Sequence, residues 1–302
     1  MDGVLVVDKP AGPTSHDIVD RARRALATRR VGHTGTLDPF ATGVLALCIG
    51  RATRLARFLA AGEKAYRATV RLGFATTTDD RTGDPLLPER PVEIADSTLR
   101  EALAGLVGSF DQVPPAFSAR QVGGRRLYEL ARRGEAVARA ATPVTVHALE
   151  LVAREGHTLE LDVRCSAGTY VRALARDLGE RLGTGAHLAA LRRTRSGAFE
   201  LSQAVPGDDL AGARERLIPL EGLLLDLPAV RVGEEGRRLV SHGRELGVEL
   251  ALSGLPPAGA ERVRLLDDKG ELLALAVPRG FEPGASVLPR HPTLHPDLVL
   301  IG

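Results

Sequence analysis

Tryptophan is absent from this 302-residue sequence, methionine occurs once and cysteine twice, and all aromatics together make up only 3%. So few aromatic rings argue against an RNA-binding sheet that stacks several bases in a row. Cys48 and Cys165 both lie in apolar runs. They offer neither a disulfide framework nor zinc spacing, and they read as small buried hydrophobes. No apolar run reaches membrane-spanning length, and Met1-Asp2-Gly3 opens without a charged-then-apolar signal. The expectation is a protein of the reducing cytoplasm that does not enter a membrane. A Walker loop, a dinucleotide fingerprint and a metal-ligand cluster are also missing, so no cofactor or metal is expected. His291 and His295 have i, i+4 spacing, but Pro292 and Pro296 flank them. That pair is predicted to sit on a tail loop rather than to bind a metal.

Neither sign of charge dominates: 40 basic residues face 38 acidic ones, a net +2. This balance permits an RNA partner without demanding one. The distribution says more. Arginines bunch at Arg21, Arg23, Arg24, Arg29 and Arg30, again from Arg120 to Arg133, and again at Arg192, Arg193 and Arg195. Such clusters could neutralise phosphates, or could simply be solvated faces.

The length suffices for one large domain with a smaller companion, and no internal repeat stands out. Val4-Leu5-Val6-Val7 reads as a short buried strand entering a Lys9-Pro10 loop. Thr14 with Asp17 resembles a capping box, and Ile18, Val19, Ala22, Ala25 and Leu26 mark the helical face behind it. Ser15-His16-Asp17 spells a triad in a row, but triads assemble from separated positions, so it is read as helix. Tyr66, Ala68, Val70, Leu72 and Phe74 alternate with Arg67, Thr69 and Arg71, and Leu159, Leu161, Val163 and Cys165 alternate likewise. A helix is predicted after Thr169, with Val171, Leu174, Leu178 and Leu182 as its stripe and Gly183 as its stop. Strands and helices mix without βαβ alternation. The predicted class is α+β: a mixed, largely antiparallel sheet with flanking helices, an insertion at 110–142, and a small C-terminal β-rich domain. In that last part Val263–Leu266 and 272–277 read as a hairpin turning at Asp267-Asp268-Lys269-Gly270.

One stretch draws attention: Arg30-Val31-Gly32-His33-Thr34-Gly35-Thr36-Leu37-Asp38-Pro39-Phe40-Ala41-Thr42-Gly43. A single acid lies among glycines and threonines, directly before a proline that bars it from helical geometry. Alone, Asp38-Pro39 could be turn punctuation. It has company, however. Lys9-Pro10 precedes it, and Lys64-Ala65-Tyr66-Arg67 and Thr76-Thr77-Thr78-Asp79-Asp80 follow. Val113-Pro114-Pro115-Ala116-Phe117, Gly168-Thr169-Tyr170-Val171-Arg172 and Leu191-Arg192-Arg193-Thr194-Arg195 complete the series.

In this order and spacing the set resembles the TruB family, the bacterial tRNA pseudouridine-55 synthases, across residues 3–199 and more weakly beyond. The resemblance implies a pseudouridine synthase catalytic domain at 1–226 and a PUA-like RNA-binding domain at 227–302. It implies that Asp38 is the catalytic carboxylate, that Arg172 is its matching cation, and that Tyr66 stands against the target uracil. Tyr170 and Leu191 belong near that pocket, and His33 where the flipped base leaves the RNA stack. Lys9, Pro10 and Asp80 become supports. The implied partner is the T-arm of tRNA, with no cofactor, no required protein partner, and a monomer as the expected state. Thr77 and Gln121 stand where relatives often carry an acid and a lysine. Two other readings remain open at this point: a tRNA-folding chaperone, and a synthase that takes its target from guide RNA.

Overall fold

The computed structural model describes residues 1–117, 121, 122, 125, 126, 139–281 and 292–301. Strand β1 (Gly3–Lys9) has no polar residue from Val4 to Val7, and all four are buried on both faces. That is the environment such an uninterrupted apolar run requires. Helix α1 (Ser15–Ala25) follows, and its start is fixed as expected: the Thr14 side chain accepts from Asp17 N and the Asp17 carboxylate accepts from Thr14 N. Strand β2 (Val31–His33) then leads into the Asp38 loop and on to β3 (Thr42–Ile49). Short helix α2 (Ala56–Ala60), β4 (Lys64–Leu72), α3 (Asp96–Ala104) and β5 (Gly108–Gln112) come next. A two-residue ribbon pairs β6 (Gln121–Val122) with β7 (Arg125–Arg126). Strands β8 (Thr142–Glu155) and β9 (Thr158–Cys165) precede helix α4 (Val171–Leu182), which ends at Gly183 with φ +68°, a left-handed stop suited to glycine. Strands β10 (Ala186–Ser196), β11 (Phe199–Glu200) and β12 (Val205–Pro206) complete the larger sheet.

That sheet runs β12-β1-β3-β10-β4-β9-β8-β5, with β11 on β10 and β2 on β3. Only β1–β12 and β3–β10 pair in parallel among its named strands. The predicted α+β class with a largely antiparallel sheet is what the chain adopts. Phe74 lies past the end of β4, so the alternation closes at Leu72. The segment read as an insertion at 110–142 begins inside the sheet, because Phe110, Asp111 and Gln112 pair with Val144, Pro143 and Thr142. Residues 118–120, 123, 124 and 127–138 of it, with Tyr128 and three of its six arginines (Arg120, Arg132 and Arg133), lie outside the described residues.

Register decides what each sheet face carries. Tyr66 pairs with Arg193 and Ala68 with Leu191, while Arg193 also pairs with Gly43, so these side chains share a face with Leu45 and Leu47. On that face α4 packs over the β4 and β9 residues, and α1 over Leu5, Val7, Leu45 and Leu47. The segment 34–38, which carries Asp38, lies on this face with them. Gly43, at φ +101°, makes the β3–β10 approach possible: a Cβ there would stand 2.2 Å from the Arg193 carbonyl oxygen.

The opposite face presents Val4, Val6, Val44, Ala46 and Cys48, and these pack with Leu266, Leu272, Leu275 and Leu300. Leu266, Leu272 and Leu275 belong to a second, six-stranded sheet, and Leu300 directly follows its last strand; the sheet comprises β13 (Ala229–Val232), β14 (Leu246–Gly247), β15 (Ala251–Ser253), β16 (Val263–Leu266), β17 (Leu272–Arg279) and β18 (Thr293–Val299). Helix α5 (Glu234–Ser241) packs beside it. The predicted β16–β17 hairpin is present. His295 is not on a tail loop: it sits in β18, paired with Val277 of β17, and His291 lies outside the described residues. Pro296 is accommodated where the register shifts between Leu275 and Ala276. Among the described residues no helix is long and apolar enough to cross a membrane.

Candidate active site

Asp38 reaches its place through backbone contacts. Its carbonyl oxygen accepts from Ala41 N at 3.0 Å, closing a turn over Pro39 and Phe40. Lys9, at the end of β1, is fully buried, and its Nζ donates to the carbonyls of Pro10 (2.9 Å), Pro39 (3.2 Å) and Ala41 (2.7 Å). Burial lowers the Lys9 pKa to about 8, against the pull of Asp38, which raises it. Pro39 O also accepts from Gly12 N at 2.8 Å, so the Lys9-Pro10 loop and the Asp38 loop brace each other.

The carboxylate faces a cavity of about 550 Å³, a volume suited to a nucleoside-sized ligand. Thr34, Thr36, Asp38, Lys64, Tyr66, Tyr170, Arg172, Leu191 and Arg193 are among its walls. Arg172 is the second residue of α4, 134 positions from Asp38. Its Nε stands 2.9 Å from Asp38 Oδ2, and its Nη2 donates to Oδ1 at 3.2 Å. The same guanidinium lies 3.3 Å from Asp80 Oδ2 and donates to the carbonyls of Thr78 (3.0 Å) and Phe117 (2.8 Å). Asp80 is itself held by Thr78 and Thr82, whose hydroxyls, with Thr82 N, donate to its Oδ1. One turn further along α4, Arg176 pairs with Asp79 at 3.1 Å and donates to Val113 O at 3.0 Å. An arginine near a helix N-terminus opposes the helix dipole. Here two acids and two carbonyls offset that, and the loops at 78–80 and 113–117 are gathered onto the helix.

The Asp38 side chain is 34% exposed into the cavity yet lies deep in the fold. Desolvation there pushes its pKa above that of an ordinary aspartate; Arg172 and Lys9 pull it down, and Asp80 pushes it up. A carboxylate held this way is a stronger base than one in water, and the guanidinium fixes its direction. The ionised form is the one able to attack carbon or take a proton, so the rate of a reaction that depends on it should fall on acidification. The midpoint of that fall should lie above the range of free aspartate. A single-turnover pH profile checks this, and an acid limb at or below the free-aspartate value contradicts it.

Of the other predicted residues, Tyr66 and Leu191 are both 8% exposed and line the cavity. Burial raises the Tyr66 pKa, and Arg193 beside its hydroxyl works the other way. Tyr170 lines the cavity from the N-cap of α4, its backbone clamped by Gln112: Tyr170 N donates to Oε1 at 2.9 Å and Nε2 donates to Tyr170 O at 3.2 Å. His33 is not on the cavity wall. It ends β2 one residue before Thr34, half-buried, with an unpartnered Nδ1 and a pKa lowered by burial and by Arg193. Ser15-His16-Asp17 is no triad: Ser15 Oγ bonds the Leu37 backbone, His16 is 71% exposed, and Asp17 caps the helix.

Three further residues, Gln112, Lys64 and Arg193, contribute to the site although the sequence reading gave them no place at the pocket. Gln112 carries no signal in the sequence. Lys64 does, because it is the first inward residue of the β4 alternation; its Nζ donates to Ala60 O and Gly62 O, and burial lowers its pKa to about 8. Arg193 was counted among phosphate-binding candidates, but it is 2% exposed and donates to the carbonyls of Gly35, Thr36 and Val44. Its neighbours Arg192 and Arg195 pair with Asp8 and Glu63. Among the described residues no group of three or more His, Cys, Asp or Glu could hold a metal ion.

Residues 23–171 match the TruB family pseudouridylate synthase N-terminal domain, and residues 172–226 the tRNA pseudouridylate synthase B C-terminal domain. A protein named tRNA pseudouridine synthase B from Ralstonia nicotianae is 46% identical over 89% of this chain and 87% of its own. The protein of the same name from Solibacter usitatus is 44% identical over 97% of this chain and 99% of its own. Among solved structures, a chain of a Cbf5–Nop10–Gar1 complex superposes with a TM-score of 0.76 at 27% identity, covering 99% of this chain and 85% of that one. A chain of an H/ACA ribonucleoprotein bound to a substrate RNA containing 2′-deoxyuridine does so with a TM-score of 0.74 at 25% identity, covering 99% and 85%. With its acid, its buried arginine and its cavity on one face of the sheet, the chain belongs to the TruB family of pseudouridylate synthases.

Proposed function

We propose that this chain is a stand-alone tRNA pseudouridine synthase that converts uridine 55 of the T-loop to pseudouridine. The observation that carries this reading is the Asp38–Arg172–Asp80 chain on a nucleoside-sized cavity, in a protein whose relatives at 44–46% identity are named tRNA pseudouridine synthase B. The reaction breaks the bond from ribose C1′ to uracil N1, turns the base, and joins C1′ to C5. The C5 proton leaves and N1 regains one, so atoms and electrons balance without a co-reactant. Asp38 serves as nucleophile or base toward the nucleoside. Tyr66 stacks against the uracil, and Tyr170 and Leu191 shape the pocket around it. Lys9, Pro10 and Asp80 hold the loops that present Asp38 and Arg172.

The cavity is lined by the Asp38 loop, the start of α4 and side chains of β4 and β10, and a base held in an RNA stack reaches Asp38 by flipping out. The unstacking costs a few kcal/mol and is least in a loop. His33, at the end of the strand that enters the Asp38 loop, helps hold the flipped state where the target base leaves the RNA stack. The C-terminal sheet at 227–302 serves as a PUA-like RNA-binding domain appended to a catalytic domain at 1–226. The enzyme works as a monomer in the cytoplasm on the T-arm of tRNA.

The reading is tested with an unmodified tRNA transcript and purified protein, without guide RNA or added metal, mapping the modified base by chemical probing. A single pseudouridine at position 55 is the expected result. Modification elsewhere, or only in the presence of a guide RNA, overturns it. A chaperone role independent of modification would show as cellular rescue by the Asp38→Asn protein. The expected result is rescue only by the active form.

A further inference from the structure

We infer that Ser15 is a positioning residue for Asp38, and that the first turn of α1 sets the aim of the carboxylate. The proposal rests on Asp38 being the reacting group. Ser15 Oγ accepts from Leu37 N at 2.8 Å and donates to Leu37 O at 3.1 Å. One buried hydroxyl thus answers both backbone groups of the residue before Asp38, much as a neighbouring strand would. The Leu37 carbonyl belongs to the same planar peptide unit as the Asp38 nitrogen, so holding that oxygen orients the plane from which the Asp38 side chain departs. Leu37's own side chain is 3% exposed in the core, and Asp38 O is tied to Ala41 N on the other side. Pro39 restricts the backbone of Asp38 further.

Ser15 can act as an anchor because its own backbone is fixed. Thr14 and Asp17 lock the helix start through three hydrogen bonds of 2.7–3.1 Å, and Ile18, Val19 and Ala22 bury the face beyond. Arg172 then meets a carboxylate whose stem already points at it. Without the hydroxyl, the Leu37 N–H and C=O lose their partner inside the fold, and the loop regains freedom next to the reacting group. A displacement of about 1 Å at such a point costs on the order of 100-fold in rate.

The test compares Ser15→Ala and Ser15→Thr with the native protein and Asp38→Asn. The readouts are single-turnover tritium release from [5-³H]uridine-labelled tRNA transcript, tRNA affinity and the acid limb of the rate. Rates are expressed per tRNA-binding-competent molecule. The expected result for Ser15→Ala is a rate lowered roughly 10- to 100-fold with tRNA affinity within about three-fold, and an acid limb moved because Asp38 sits less well against Arg172. Ser15→Thr, which keeps the hydroxyl, should recover most of the rate. A Ser15→Ala rate within about two-fold of native, with an unmoved acid limb, overturns the proposal even if the protein melts earlier, since a merely structural role would look like that. If Ser15→Ala does not accumulate as folded protein, Ser15→Cys is read by the same criterion. It keeps the bulk and exchanges a strong hydrogen-bonding group for a weak one. Failure of the underlying reading shows separately, as turnover by Asp38→Asn.

Discussion

Asp38→Asn should lower single-turnover pseudouridine formation on the order of 10⁴-fold or more while leaving tRNA affinity within a few-fold. The asparagine amide is neither a nucleophile nor a base at neutral pH, and it occupies the same volume. RNA binding draws on a surface far larger than one carboxylate, so affinity has little reason to change. The same substitution makes a second, less obvious prediction. Burial raises the folded-state pKa of Asp38, so the folded protein holds its proton more tightly than the unfolded chain does. Any stability this group contributes is therefore present below the unfolded pKa and lost as pH rises through the folded one. At neutral pH the ionised carboxylate is a burden on the fold, and the neutral asparagine relieves it. Thermal melts at neutral pH should place Asp38→Asn level with the native protein or above it. A marked loss of stability would mean that Arg172 outweighs desolvation at this site.

Arg172→Met should be damaging in both respects. The guanidinium serves Asp38, Asp80, Thr78 O and Phe117 O at once, and its side chain is 5% exposed, as is that of Asp80. Removing it strands Asp80 as a buried, unpaired acid, and breaking such a pair costs about 3–5 kcal/mol. Catalysis loses the group that directs Asp38, and the 113–117 segment loses one of its two arginine anchors on α4. Arg172→Lys separates these effects. An ammonium keeps the charge but cannot span four acceptors, so folding should largely return while the rate stays down on the order of 100-fold. Equal recovery of stability and rate in the lysine variant would show that charge alone matters there.

How much of this could be read from the chain varies with the physics of each feature. The Thr14–Asp17 cap, the Tyr66–Leu72 alternation and the Gly183 stop are local, and they appear where the sequence puts them. The meeting of Asp38 with Arg172 is not local. Nothing in spacing brings together residues 134 apart, and only the resemblance of ordered motifs suggested it. The arginine run at 192–195 divides: Arg192 and Arg195 fit the reading as a solvated face, and buried Arg193 fits neither that nor phosphate binding. A register shift between Arg193 and Arg195 breaks the two-residue period, so Arg193 turns inward while Arg192 and Arg195 pair with acids outside. Lys64 follows the inward period faithfully, but a lysine on a buried face looks like an exception until Ala60 O and Gly62 O supply its partners. The shared core between the C-terminal sheet and the β1–β3 face was invisible as well. Leu266, Leu272 and Leu275 read equally well as the interior of a self-contained module.

Asp38 is proposed as the reacting carboxylate of a synthase that needs nothing beyond its RNA. The most direct test uses tRNA transcript tritiated at uracil C5, given to the native protein and to Asp38→Asn side by side. Tritium leaves only when C5 becomes the glycosidic carbon. Release by the native protein alone is expected, with none by the variant, although both bind the transcript. Release by the variant at a rate near native would contradict this assignment of Asp38.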